Sequence, residues 1–410
     1  MSRQAVSVPV GSVTKWLSGG TPDRANAAYW AGSVPWISAA TLKKTRIYDS
    51  DQRITESAIR AGSKLAPQGA TLVLVRGMAL HREVRAGLAM RPVSFNQDVK
   101  ALIPRPGLVP LYLTYSLHAH RARILELVSS AGSGTGVLDT GLLKRLPIWL
   151  PDTHEQERIV EAIEDADTAM EALERLIAKK QAIKQGMMQQ LLTGRTRLPG
   201  YRGNWAWQRL ASVLDKLEAG VSVNSISGPG PYSVLKTSCV SGGTFDPSEC
   251  KTVAPSDLKK VKASPQADSL TISRMNTPTL VGEVGYIETN WPTLFLPDRL
   301  WLATKRSPHL VDMRWLGYVL SSRQYREQLR EIATGTSGSM KNISRGSFLQ
   351  LSVPSPPVEE QIAIARALLD VDVEIRALRA RLDKARDIKQ GMMQQLLTGR
   401  TRLPVSGDAS

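Results

Sequence analysis

Hydrophobic and polar positions follow two rhythms along this chain. In one stretch apolar residues fall at Val371, Ile375, Leu378, Leu382, Ala385, Ile388 and Met392, stepping by 4, 3, 4, 3, 3 and 4. In another they fall at Ile159, Ile163, Ala166, Met170, Leu173 and Ile177, stepping by 4, 3, 4, 3 and 4. This 3-4 spacing predicts two long helices, each with a narrow apolar seam suited to a partner helix. Pro151 and the stretch 354–357 stand where each helix begins, because proline cannot lie in a helix interior. Gly194 and Gly399 follow Leu-Leu-Thr and predict left-handed stops, so the helices should cover 155–193 and 360–398. Gly186 and Gly391 lie inside them, at about 1 kcal/mol each relative to alanine. Close helix–helix approach is the expected compensation.

The remaining stretches read differently. Thr71-Leu72-Val73-Leu74-Val75 and Leu270-Thr271-Ile272 are short apolar runs bounded by turn residues, which predicts strands. One helix is expected over 111–127 and another over 315–332. Each stretch therefore reads as a mixed α/β globule of ordinary domain size.

The two rhythms alternate because the chain is written twice. Residues 183–199 read IKQGMMQQLLTGRTRLP, and residues 388–404 repeat them without a change. The offset of 205 residues, which takes Ile183 to Ile388, is half of the 410-residue length. It also takes Leu146 to Leu351, Glu155-Gln156 to Glu360-Gln361, and Asp167 to Asp372. Upstream the match fades to traces such as Leu138 with Ile343 and Gly141 with Gly346. The predicted class is α+β (mixed α/β): two globules and two long antiparallel coiled-coil-like helices in a pseudo-twofold tandem repeat. The expected divisions are a first globule over 1–145, a central helix over 146–199, a second globule over 200–350, and a C-terminal helix with its tail over 351–410.

Charge changes this picture. The chain has 53 Lys+Arg against 37 Asp+Glu, a formal net charge of +16. By segment, residues 1–145 carry +11, 146–199 carry −2, 200–350 carry +6, and 351–404 carry +2. A basic excess concentrated in the globules favours a polyanionic partner there, whereas near-neutral helices with apolar seams suit protein–protein packing. The plainer alternative is that surplus charge serves solubility. Cys239 and Cys250 are too few for a disulfide framework or a four-ligand zinc site. No signal-like segment and no run of transmembrane length occurs, so a soluble, cytoplasmic protein is expected, without membrane partners.

Catalytic signatures are scarce. There is no P-loop of the G-x-x-x-x-G-K-[ST] type and no G-x-S-x-G elbow. His118 and His120 lie two apart on a predicted helix, on different faces, and read as surface residues rather than metal ligands. The glycine-rich stretches 132–136 and 335–339 follow predicted helices, which is the wrong context for a dinucleotide loop. They read as flexible loops able to donate backbone N–H groups to phosphates. Ser355-Pro356-Pro357-Val358 lacks the aromatic residue of an amino-methyltransferase motif and reads as the prolines of the helix start.

With these residues in view the chain resembles the specificity subunit of a Type I restriction–modification enzyme. The resemblance rests on the globule–helix–globule–helix order, the doubled helix ends, and Glu155-Gln156 and Glu360-Gln361 opening the helices. In the first globule it also rests on Gly19-Gly20-Thr21-Pro22, the run from Tyr29 to Trp36, Arg76-Gly77, and Phe95-Asn96-Gln97-Asp98-Val99. The second globule lacks the Tyr-Trp-x-Gly-x-x-Pro-Trp run, its nearest remnant lying at 232–239. It keeps a strand ending at Arg274 and the fragment 295–302. The resemblance implies two globular target-recognition domains, separated by the helices, each reading one half of an asymmetric, bipartite site in double-stranded DNA. It implies two methyltransferase subunits carrying S-adenosylmethionine, and restriction/motor subunits using ATP and Mg, with no cofactor, metal or catalytic residue in this chain. Helices of about 38 residues would span on the order of 57 Å at 1.5 Å per residue, within one to two turns of B-DNA. Two other readings are a DNA-modifying enzyme, nuclease or methyltransferase, with an unrecognised active site, and a structural coiled-coil adaptor.

Arginine and asparagine suit bidentate reading of guanine and adenine, and basic residues at strand ends and loops suit DNA contact. On that ground the expected DNA-binding residues are Lys43, Lys44, Arg46, Arg76, His81, Arg82 and Arg85 in the first globule. In the second they are Lys236, Arg274, Asn276, Lys341, Asn342 and Arg345.

Overall fold

The structure, a computed structural model, describes residues 6–132, 134–335 and 340–403. The chain divides into two compact units, one of residues 1–175 with 379–410 and one of residues 176–378. The divisions thus cut across the helices: each unit holds one globule together with a piece of each long helix. Ser133 and residues 336–339, from the two glycine-rich stretches, lie outside the described residues.

The first unit is built on two sheets. The larger runs in the order Thr14–Ser18, Val99–Pro104, Thr71–Leu74, Ala86–Ala89, Arg46–Ile47. Its middle strand, Thr71–Leu74, is buried on both faces, which is why its sequence is continuously apolar rather than alternating. The smaller runs Arg53–Ile54, Val34–Ile37, Val93–Phe95, Lys64–Ala66. Helix Pro110–Ala119 covers the larger sheet, with Leu111 to Leu117 all buried.

The second unit repeats this plan with different residues. Its larger sheet runs Leu214–Ala219, Leu300–Lys305, Ser269–Ser273, Val284–Ile287. In its smaller sheet Ser233–Leu235 pairs parallel with Leu294–Phe295, as Val34–Ile37 pairs parallel with Val93–Phe95 in the first unit. Strand Ser233–Leu235 therefore stands where Val34–Ile37 stands in the first unit, so the end of the aromatic run falls near Ser233 and most of 232–239 lies beyond its place. Tyr232 and Phe295 meet edge-on there, with ring centroids 5.1 Å apart.

The long helices are Thr153–Leu191 and Val358–Leu396. In the first unit Asp167 meets Lys389 at 2.5 Å and Glu174 meets Arg386 at 2.9 Å. In the second, Lys180 meets Glu374 at 2.5 Å and Lys184 meets Asp372 at 2.7 Å. Rising numbers on one helix meet falling numbers on the other, so the helix pieces run antiparallel within each unit. Ile159, Ile163, Ile177, Ile375, Leu378 and Leu382 of the expected seam are buried. Gly194 and Gly399 stop the helices at φ +69, as the sequence predicts.

Four sequence expectations are corrected. The helix expected over 111–127 is two, Pro110–Ala119 and Arg121–Glu126, broken where His120 leaves helical geometry. That over 315–332 is Met313–Ser321 and Arg323–Glu331, broken where Ser322 turns to extended geometry at ψ 155. Ile388 falls off the seam and is exposed, because the 3-3-4 step there drifts around the helix. Gly186 and Gly391 face open space: a Cβ built on either would meet nothing within 4 Å, so no close helix approach explains them.

Candidate nucleic-acid interface

In the first unit the buried strand Thr71–Leu74 delivers the chain to Arg76 at the sheet's end. There the N–H groups of Val75 and Arg76 both donate to the Asp98 carbonyl, at 2.8 and 3.3 Å. Gly77, at φ +152, turns the chain away, and its N–H donates to Gly136 at 2.9 Å. A short turn follows, Met78–His81, from which His81 Nε2 donates to the Gly134 carbonyl at 2.9 Å. Thr21 reaches the same place from the other side, donating to Gln97 at 2.7 Å, one residue from Asp98. Arg85 donates to the Ala39 carbonyl at 2.5 Å, and Ala39 also borders Gly77. The segments 19–30, 38–46, 76–85, 96–98 and 134–136 thus form one connected set of loops.

Charge compensation divides the expected residues within it. Lys43, Lys44, Arg76 and Arg82 are exposed and make no ion pair among the described residues. Arg46 is paired with Glu164 of the long helix, and Arg85 with Glu83 at 2.5 Å. The free cations suit an external polyanion; the paired ones already have theirs.

In the second unit Met275–Asn276 pairs antiparallel with Lys341–Asn342, which brings four expected residues together. Arg274 lies over the Trp301 ring, 5.3 Å from its centroid, and its Nε donates to Asn342 Oδ1 at 3.4 Å. Asn276 Nδ2 donates to Ser273 Oγ at 3.1 Å, and Lys341 Nζ to the Gly335 carbonyl at 3.1 Å. Arg345 is exposed at the start of the short helix Arg345–Gln350. Lys236 is not in this group; it sits by the smaller sheet, paired with Glu249 at 3.4 Å.

Arg76 and Arg274 are not equivalent, although each follows a buried strand. Leu138 N–H donates to the Val75 carbonyl and Ile343 N–H to the Arg274 carbonyl, both at 2.8 Å. The 205-residue offset takes Leu138 to Ile343, so Arg274 stands in the place of Val75. A one-residue slip in an extended segment reverses the face. That is why Arg76 is exposed while Arg274 is half-buried on an indole.

Sequence reasoning missed Arg24, an exposed arginine whose guanidinium lies 4.9 Å from the Trp30 ring centroid and 5.3 Å from that of Trp36. The signal was the cation inside the loop that joins Thr21-Pro22 to the aromatic run. The two histidines are also placed differently from expectation. His118 is half-buried, with Nε2 donating to the Ala86 carbonyl at 2.9 Å, and burial lowers its pKa, helped by Lys389 and Arg121. His120 Nδ1 donates to the Ser116 carbonyl at 2.8 Å.

Behind each globule the repeated motifs lock helix to globule. Gln156 and Gln361 are fully buried. Gln156 Oε1 accepts the Val109 N–H at 2.8 Å, and Gln361 Oε1 accepts the Asp312 N–H at 2.9 Å. Tyr115 donates to Asp167 at 3.4 Å and Tyr318 to Asp372 at 2.8 Å, each carboxylate also holding a lysine. Burial, then the neighbouring carboxylate, pushes the Tyr115 hydroxyl up to about 12 and Tyr318 upward as well. Among the described residues no helix is long and apolar enough to cross a membrane, and no group of three or more His, Cys, Asp or Glu is placed to hold a metal ion.

Known proteins resemble this chain in sequence and in overall fold. The family model described as the Type I restriction modification DNA specificity domain matches residues 5–185. The chain is 29% identical over 178 residues to the Type I restriction enzyme EcoR124I/EcoR124II specificity subunit of Escherichia coli, a stretch covering 43% of this chain and 44% of that protein. It is 24% identical over 307 residues to the MjaVIII specificity subunit of Methanocaldococcus jannaschii, covering 72% of this chain and 70% of that one. The crystal structure of the Type I restriction–modification S subunit from M. genitalium shares the fold, with a TM-score of 0.57, 14% identity and 97% of each chain covered. With its first globule matched by the family model and its whole length sharing the S-subunit fold, the chain is similar to Type I restriction–modification specificity subunits.

Proposed function

We propose that this chain is the non-catalytic DNA-reading subunit of a Type I restriction–modification complex. It reads an asymmetric, bipartite duplex site, one half-site per globule, with an unread gap whose length the helices set. The observation that carries this reading is the contrast between the two units. Their loop clusters present different side chains, Arg76 and Arg82 in one and Arg274, Asn276, Lys341 and Asn342 in the other, on locks whose helix side, Gln156 and Gln361, repeats at the 205-residue offset. Different readers on one repeated mount suit two different half-sites.

The same duplication supports two copies of one partner, the methyltransferase subunit, which brings S-adenosylmethionine; restriction/motor subunits bring ATP and Mg. Ile183 and Ile388 are exposed in both copies, and Gly186 and Gly391 beside them face open space. Two identical, partly apolar helix faces suit two identical subunits. Methylome sequencing of the host with and without the gene tests the reading. One asymmetric bipartite motif should lose its adenine methylation on deletion. An unchanged methylome, or loss of a continuous palindrome, overturns it.

A further inference from the structure

Arg24 carries an inference that rests on the DNA-reading role and goes beyond it. Its loop is clamped to the first globule. A Cβ on Gly19 would sit 2.3 Å from the Phe95 and Asn96 carbonyl oxygens, so only glycine permits that approach. Gly20 N–H donates to Phe95 O at 2.9 Å, and Gly20 O accepts from Ser63 Oγ at 3.0 Å and from Trp36 Nε1 at 3.4 Å. Trp30 Nε1 donates to the Asp23 carbonyl at 3.1 Å, and the two indoles meet edge-on with centroids 5.1 Å apart. Arg24 lies against both rings. The one acid beside it in sequence, Asp23, turns its carboxylate to the Ala25 N–H at 2.9 Å. Arg24 itself makes no ion pair among the described residues and is exposed.

A planar guanidinium held on aromatic rings has given up much of its rotamer freedom before any ligand arrives. Such preorganisation favours a contact with fixed direction over a diffuse charge interaction. Lys43, Lys44 and Arg82, exposed and unstacked, suit phosphates; Arg24 suits a base edge. Its loop is also in the right place, since Thr21 bonds Gln97 beside the Asp98 carbonyl that holds Arg76. We propose that Arg24 is a specificity-determining residue that reads a guanine in the first half-site, forking onto O6 and N7 in the major groove.

The test uses the complex isolated from its host through a tagged full-length chain. The wild-type complex selects its duplex from a random pool. Binding is then measured for wild type, Arg24→Gln and Arg24→Lys against that duplex and against versions with each guanine of the first half-site replaced. One replacement should weaken wild type about tenfold to a hundredfold and leave Arg24→Gln almost unaffected. Arg24→Lys should keep the salt dependence of wild type while losing that same discrimination, and all three should melt alike. Uniform weakening of Arg24→Gln on every sequence, with a shallower salt slope, would make Arg24 a phosphate-binding residue and overturn the proposal. Unchanged binding and a lower melting temperature would make it a structural clip and overturn it too. A wild-type complex that selects no sequence brings down the DNA-reading function itself, and the Arg24 proposal with it.

Discussion

Glu155 and Arg402, 247 residues apart in the chain, form a two-pronged ion pair, with Arg402 Nε donating to Glu155 Oε1 at 2.9 Å. The 205-residue offset turns this pair into Glu360 and Arg197, where Nε donates at 2.6 Å and the second prong closes at 2.5 Å. Each glutamate opens one long helix, and each arginine follows the stop of the other. The pairing of helix start with helix end is therefore written into both copies of the repeat.

The two locks should differ in strength. The Glu360 side chain is fully buried and also accepts from Trp205 Nε1 at 3.1 Å, whereas Arg402 is half exposed. Glu360→Ala leaves the half-buried Arg197 guanidinium and the Trp205 N–H without their shared carboxylate and should lower the melting temperature of the second unit. Glu155→Ala should cost the first unit less. Thermal melting of both variants checks the order, and equal losses would contradict the burial argument.

Gln361 shows how a neutral side chain holds a globule to a helix. Its amide accepts the Asp312 N–H and donates to the Pro356 carbonyl at 2.9 Å. Gln361→Leu keeps most of the volume but leaves both backbone groups unpaired in the interior. The expected cost is about 2–3 kcal/mol, read from denaturant unfolding. A change under about 0.5 kcal/mol, the low end for one hydrogen bond, would mean that water replaces the amide.

Gly186→Ala and Gly391→Ala separate intrinsic helix stability from partner binding. A methyl group at either position meets nothing within 4 Å. Each substitution should stabilise the isolated chain by about 0.5–1 kcal/mol. If the proposed partner packs on this face, the same variants should co-purify with less methyltransferase subunit. A stabilised chain with undiminished co-purification would remove the helix face from the proposed interface.

His118 gives the first unit a pH dependence of known sign. Burial, then the charges of Lys389 and Arg121, holds its pKa below the ordinary 6.5; its bond to the Ala86 carbonyl opposes them. Tyr115, Arg121, Arg386 and Lys389 line the same small pocket as His118. The unfolded chain takes up the proton more readily than the folded one. The stability this histidine contributes is thus present above pH 6.5 and lost as pH falls below it. His118→Gln should flatten the acid side of a stability–pH profile measured by melting; an unchanged slope would assign the acid sensitivity to other groups.

Much of this architecture was legible before the structure, for identifiable reasons. A duplication declares itself in sequence, and a 3-4 apolar rhythm has few other solutions than paired helices. The buried run 71–75 announced a strand because both of its faces are covered. What could not be read was set by tertiary packing. Arg46 looks as free as Lys44 until Glu164 of the helix is brought to it. Arg76 and Arg274 look equivalent until backbone hydrogen bonds show a one-residue slip. The stacking of Arg24 depends on Trp36 lying against Trp30, which the spacing along a loop does not reveal.

The free and paired cations of the first globule should separate in DNA binding. Every side chain that neutralises a phosphate should contribute about 0.9 to the slope of log affinity against log salt. Arg76→Ala and Arg82→Ala should each make that slope shallower by this amount. Arg85→Ala should not, because Glu83 and the Ala39 carbonyl already hold that side chain. Similar slopes for all three variants would mean that compensation in the free protein does not predict which cations meet DNA.

Replacing the second globule should change one half-site and leave the other intact. Residues 200–350 sit between Pro199, where the first copy of the repeated motif ends, and the Pro-rich start of the second helix. A foreign reader grafted there keeps both Glu–Arg locks, because Arg197, Glu360, Glu155 and Arg402 all lie outside the exchanged segment. It must also supply a tyrosine in the place of Tyr318 and an N–H for Gln361, or the helix will let go of the globule. With those two bonds preserved, the proposed DNA-reading role predicts that base contacts stay local to each globule and the gap stays with the helices. Methylome sequencing of the grafted strain should therefore return the old first half-site joined to a new second one, across an unread gap of unchanged length. If both half-sites changed, the two globules would not read DNA independently. If the gap changed instead, its length would be set by the globules rather than by the helices.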